Sequence, residues 1–150
     1  MSKETKQIEK SGEIMLKETI ICVIIVALIV FGNYKLQDYT DETVSEITGE
    51  LSKIREDLLE DGILKSAEKI DNEKLKTDIE EIHNRWTDRN ERLSYYIEHN
   101  ELEKIDSAIV SLKSSSESGN YEDSVDQLEK TEFMLKHIQE KYALNLKNIF

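Results

Sequence analysis

The residues best suited to chemistry lie in the stretch YIEHNELEKI, residues 96–105. His99 stands there among Glu98, Glu101 and Glu103. An imidazole with several carboxylates inside two helical turns offers the donor types of a divalent-cation site. The chain has only three histidines, His83, His99 and His137. If its last third folds back at Gly119, His99 comes to the level of His137 and Glu140. Glu98, His99, Glu101, His137 and Glu140 then form one His/Glu layer, a set of weak candidates for a metal or ligand-sensing site. Elsewhere, Glu80 and His83 give a single ExxH spacing. Di-iron bundles use two such motifs and two further glutamates, all turned inward. One ExxH in another part of the chain falls short of that, and a structural role on the helix edge explains the layer better. There is no nucleophile elbow, phosphate-binding glycine loop or paired metal spacing. The expectation is a protein that is not an enzyme, with no catalytic residue, cofactor or committed metal.

Trp86 is the only tryptophan. On a buried stripe it is core; on an exposed one it is an anchor for a partner. The surrounding NRWTDRNER (84–92) holds three of the four arginines, interleaved with Asp88 and Glu91. These read as ion pairs along a helix face, with a clamp for an acidic ligand as the alternative.

Helices must position all of these residues. Proline is absent, charged residues make up 35% of the chain, and no strand pattern occurs. Val44, Ile47, Leu51, Ile54 and Leu58 step by three and four, a coiled-coil-like stripe that ends at Glu60-Asp61-Gly62. Leu64, Ala67, Ile70, Leu75, Ile79, Ile82 and Trp86 form a second stripe. Leu102, Ile105, Ile109 and Leu112 form a third. SSSESGN (114–120) breaks the pattern, with Gly119 as a helix stop and Asn120 as the next N-cap. The last stripe runs Tyr121, Val125, Leu128, Leu135, Ile138, Tyr142, Leu146 and Ile149. The expected fold class is all-α: an N-terminal transmembrane helix, then an elongated antiparallel bundle of two hairpins (41–82 and 93–150) sharing a long middle helix. Within that middle helix the apolar face changes direction by roughly 120° between Ile97 and Leu102. The alternative is a break at His99-Asn100, where Asn100 and Glu103 have the spacing of a capping box.

The apolar run is Ile20, Ile21, Cys22, Val23, Ile24 and Ile25, followed without interruption by Val26, Ala27, Leu28, Ile29, Val30 and Phe31. The uncharged window extends over 19–34. Lys17 and Lys35 lie about 27 Å apart along a helix, and both can extend to the membrane interface. A buried core helix would carry a polar face, and this run has none. A cleavable signal peptide also fits, with Val30-Phe31-Gly32 as a cleavage site. An uncleaved anchor fits best. It gives a leader (1–18), a span (19–34) and an acidic helical domain (35–150). Lysines cluster before the span, so the N-terminus faces the cytoplasm and the domain lies outside the cell membrane. Cys22 is the single cysteine, so no intramolecular disulfide forms.

The net charge is −12, and residues 1–32 are neutral, so all of it belongs to the remainder. Such a domain repels nucleic acid, which is excluded as a partner. Membrane lipid is a partner through the one helix.

Trp86, IEHNELEKIDSAIVSL (97–112), a Gly-Asn turn and the segment 121–150 together resemble the domain-of-unknown-function family numbered 4363. Its signatures correspond here to Glu98-His99-Asn100-Glu101 and Asn148-Ile149-Phe150. The resemblance covers residues 80–150 closely and the rest in layout. Members often carry a second Trp, which this chain lacks. The resemblance implies small bacterial single-pass membrane proteins with an acidic helical tail and no assigned activity. It also implies a protein partner, a multi-pass membrane protein whose gene is a frequent neighbour. The leading expectation is a membrane-anchored, extracytoplasmic accessory or interaction protein. The alternative is a cation or ligand sensor using the His/Glu layer.

Overall fold

In the computed structural model, residues 3–143 are described, with side chains from Ile14 onward. The order is α1 (Lys3–Leu58), β1 (Leu59–Glu60), β2 (Ile63–Leu64), a 3-10 turn (Ala67–Lys69), α2 (Asn72–Leu93), α3 (His99–Glu117) and α4 (Tyr121–Tyr142). The chain divides into two compact units, Met1–Leu36 and Gln37–Phe150.

The first unit has one described helix long and apolar enough to cross a membrane, with a window of mean hydropathy 2.7 and none of it buried. Its side chains from Ile14 to Phe31 are exposed on every side. That rules out the buried core helix of the sequence reading, because a core helix hides at least one face.

The second unit is an antiparallel four-helix bundle. Val44, Ile47, Leu51, Ile54 and Leu58 of α1 are buried, as the three-four spacing predicts. They meet Leu75, Ile79, Ile82, Trp86 and Leu93 of α2, Leu102, Ile105, Ile109 and Leu112 of α3, and Leu128, Leu135 and Ile138 of α4. Each fully buried Leu or Ile contributes about 1.5–3 kcal/mol. The gap in the last stripe between Leu128 and Leu135 is filled by Thr131, fully buried, whose hydroxyl donates to the Gln127 carbonyl at 2.7 Å. Leu146 and Ile149 lie outside the described residues.

Several boundaries differ from the sequence reading. The middle helix is not continuous: α2 ends at Leu93, and residues 94–98 turn the chain before α3. A straight helix cannot present Trp86 and Ile105 to one core when their faces diverge, so the chain breaks where the face changes. The N-cap of α3 is Glu98, without a side-chain bond, so the Asn100–Glu103 capping box does not form. At the first connection α1 stops four residues before Gly62. Asp61 (φ 53°) and Gly62 (φ 77°) make the turn of a two-residue β-hairpin, in which Glu60 pairs with Ile63. Positive φ at both central residues is what an Asp-Gly hairpin turn requires. Leu64, Ala67 and Ile70 therefore precede α2 instead of opening it, and Asp71 caps it by accepting from the Lys74 N–H at 3.1 Å. Ser114, Ser115 and Ser116 remain helical, and the break falls at Gly119 (φ 74°). The Asn120 N–H donates to the Ser115 carbonyl at 2.9 Å and the Gly119 N–H to the Ser116 carbonyl at 3.1 Å, a Schellman ending. Asn120 caps α4 as expected, accepting from the Asp123 N–H.

Candidate functional site

The α3–α4 hairpin closes close to the expected register. Ser115 and Ser124 bring their hydroxyls to 3.0 Å next to the turn. At the other end the Glu98 N–H donates to the Tyr142 hydroxyl at 3.0 Å. The partner of residues 98–101 is therefore residues 141–142, about one turn beyond His137. This shift opens the proposed layer, although the His137 charge still acts on Glu101. Lys141 Nζ occupies the space between the carboxylates, 3.5 Å from Glu98 and 3.3 Å from Glu101. The hydrogen bond from Lys141 holds the Glu101 carboxyl below its ordinary range. His99 is largely exposed and faces Glu103 of its own helix at 3.3 Å. His137 lies on the outer side of α4, stacked on Phe133 with ring centroids 6.4 Å apart. Glu140 is exposed. Among the described residues no three His, Cys, Asp or Glu side chains group to hold a metal ion. The ExxH pair is likewise engaged: Lys113 of α3 bonds Glu80 and draws its carboxyl down.

Trp86 is fully buried, which corrects its nomination as an interaction residue. It sits on the core stripe of α2 between Ile82 and Leu93, and its Nε1 has no hydrogen-bond partner. The three arginines around it project from the opposite edge toward α1. Arg85 and Arg89 each bond Glu46, at 2.8 and 2.7 Å, and Arg85 reaches Glu50 at 3.0 Å. Arg89 and Arg92 lie over the Tyr39 ring at 5.3 and 5.8 Å. Arg85 and Arg89 thus have internal carboxylates as partners, and the acidic-ligand clamp gives way to a seam between α1 and α2. Burial pushes the Glu46 carboxyl up, but the bonds and charges of Arg85 and Arg89 outweigh it and hold it below 4.5. Glu50 goes the other way: burial dominates and raises it, and its Oε2 has no hydrogen-bond partner.

The feature missed in the sequence is a groove between α1 and α4, the first and last helices of the bundle. Two side-chain pairs among the described residues bridge them: Arg55 to Glu132 at 2.8 Å and Gln139 to Asp41 at 2.9 Å. Between these clamps lies an open space of about 680 Å³, lined by Val44, Ser45 and Thr48 on one wall and Glu129, Phe133 and Lys136 on the other. Phe133 is 71% exposed. A signal was present in the sequence: Phe133 falls outside the apolar stripe of its own helix.

The family model described as Domain of unknown function (DUF4363) matches residues 30–149, well beyond the region that carries the resemblance by motif. No curated protein and no solved structure matches. The match takes in most of the chain, including the whole described four-helix bundle, and the chain belongs to the DUF4363 family.

Proposed function

We propose that this is a single-pass membrane protein whose helical domain lies outside the cell and works by binding another protein, without catalysis. The observation that carries the reading is the apolar helix, exposed around its whole circumference from Ile14 to Phe31. Exposed apolar surface of that extent is stable in hydrocarbon and not in water. The four lysines before the run, against Lys35 alone soon after it, favour a cytoplasmic N-terminus. The α1–α4 groove supports a binding role. It sets apolar Val44 and Phe133 beside charged Arg55, Glu129, Glu132 and Lys136, and the partner we propose is a multi-pass membrane protein in the same bilayer. Against a cation sensor stands Lys141, whose ammonium already sits between Glu98 and Glu101.

The test is a photo-crosslinking amino acid placed at Phe133 in the full chain, in native membranes, with Val110 as a control on α3. An adduct of one defined size at 133 and none at 110 supports the reading. Equal adducts at both, or none, overturn the binding role. Protease added outside intact cells should digest the domain; a protected domain overturns the topology.

A further inference from the structure

The chain has six tyrosines, and their placement is uneven. Tyr39 begins the bundle beneath the guanidinium groups of Arg89 and Arg92. Tyr96 accepts a hydrogen bond from the Thr40 hydroxyl at 3.3 Å. Tyr142 accepts from the Glu98 N–H and lies under the Lys141 ammonium at 5.4 Å. Tyr95, in the turn between α2 and α3, is 83% exposed. Four tyrosines therefore share one end of the bundle, the end at which residues 37–41 enter it. Only Tyr121 is at the far end, bonded to Asn72. The sixth, Tyr34, closes the uncharged window.

That end is tethered. From Tyr34 to Thr40 the chain spans at most about 20 Å even when fully extended. Tyrosine is enriched at membrane–water boundaries because its ring is apolar and its hydroxyl seeks a polar partner. Arg92 is exposed there with no ion-pair partner among the described residues, and a guanidinium matches phosphate oxygens. Three of the nearby acids have partners of their own: Asp41 with Gln139, Glu42 with Arg89 and Glu98 with Lys141.

We infer that the α2–α3 turn, through Tyr95 and Arg92, docks on the phosphate headgroup layer of the bilayer. The inference rests on the anchor reading above. The excess of acid in the domain makes neutral phospholipid the better surface for this contact, since added anionic headgroups repel the rest of the domain.

The full chain in phosphatidylcholine vesicles tests it. Single cysteines carrying an environment-sensitive fluorophore are placed at Val26, Ser94 and Ser118 in a Cys22→Ser background. Quenching is read with nitroxides attached to the headgroup or deep in the acyl chain. Expected are strong deep quenching at 26 and headgroup quenching several-fold greater at 94 than at 118. Tyr95→Ser with Arg92→Ser should remove the excess at 94. Quenching at 26 with equal signals at 94 and 118 overturns the docking and leaves the anchor standing. An excess at 94 that survives the double substitution also overturns it, since tethering alone would then explain the proximity. No quenching at 26 removes the anchor and the inference with it.

Discussion

Along the α1–α2 seam, Glu46 receives two guanidinium groups, Glu50 shares one of them, and Lys74 bonds both Asp57 and Asp78. Along the α1–α4 seam, Arg55–Glu132 and Asp41–Gln139 are the only side-chain bonds among the described residues, and a groove opens between them. The two seams share the same α1. The difference follows from connectivity and side-chain reach. A tight hairpin brings α2 beside α1, and arginines spaced by four residues then interleave with glutamates spaced by four. No loop joins α1 to α4, and small Ser45 and Thr48 face the gap. One seam fixes helix orientation, and the other leaves surface for a partner.

The largest effect expected on this contrast comes from below the first seam. Trp86→Ala removes a fully buried ring and should cost about 3–5 kcal/mol in denaturant unfolding. Trp86→Phe should cost far less, because it also removes an indole N–H that has no hydrogen-bond partner. Next, Arg89→Met breaks the bonds to Glu46 and the stacking on Tyr39. As a partly exposed network it should cost about 1–2 kcal/mol, against about 0.5 kcal/mol for Arg55→Met at the other seam. Equal losses would erase the contrast.

Acid sharpens it further. The carboxyls of Glu46, Glu80 and Glu101 are held below their ordinary value of 4.5 in the folded chain. Their contribution is present above that value and is lost as pH falls through the lower folded values. Glu50 is raised, so its charged form opposes folding, and its protonation as pH falls relieves that cost. Thermal unfolding should therefore drop below pH 4.5, and less steeply in Arg89→Met, where Glu46 has lost one of its cations. The smallest effect is Phe133→Ser, which should change stability by no more than about 0.5 kcal/mol while abolishing capture of the partner by a crosslinker placed at Ser45 on the facing wall of the groove. A large stability loss would make Phe133 a core residue and close the groove as a binding surface.

Much of the bundle was legible in the sequence because burial imposes a period. Val44 through Leu58, Leu75 through Trp86 and Leu102 through Leu112 each repeat by three and four, and each is buried. Gly119 and Asn120 were readable because one must adopt positive φ and the other must cap. The Asp-Gly hairpin was harder, since the same glycine signal serves a helix stop and a β-turn. The His/Glu layer could be read only as a weak candidate, because composition places donors near one another without saying what else reaches them. A register displaced by about two residues at that end put Lys141 beside Glu98 and Glu101. Phe133 offered only an aromatic out of phase, and the groove beside it depends on how far apart two helices settle.

By itself the sequence determined the apolar membrane-length run, the acidic charge of the remainder and the four amphipathic stripes, because hydrophobicity and period are properties of the linear chain. Only the tertiary structure decided that Trp86 is core, that the arginines belong to α1, that Glu98 and Glu101 share Lys141, and that α1 and α4 leave a groove. Those outcomes depend on distances between residues remote in sequence, which are set by how the helices pack.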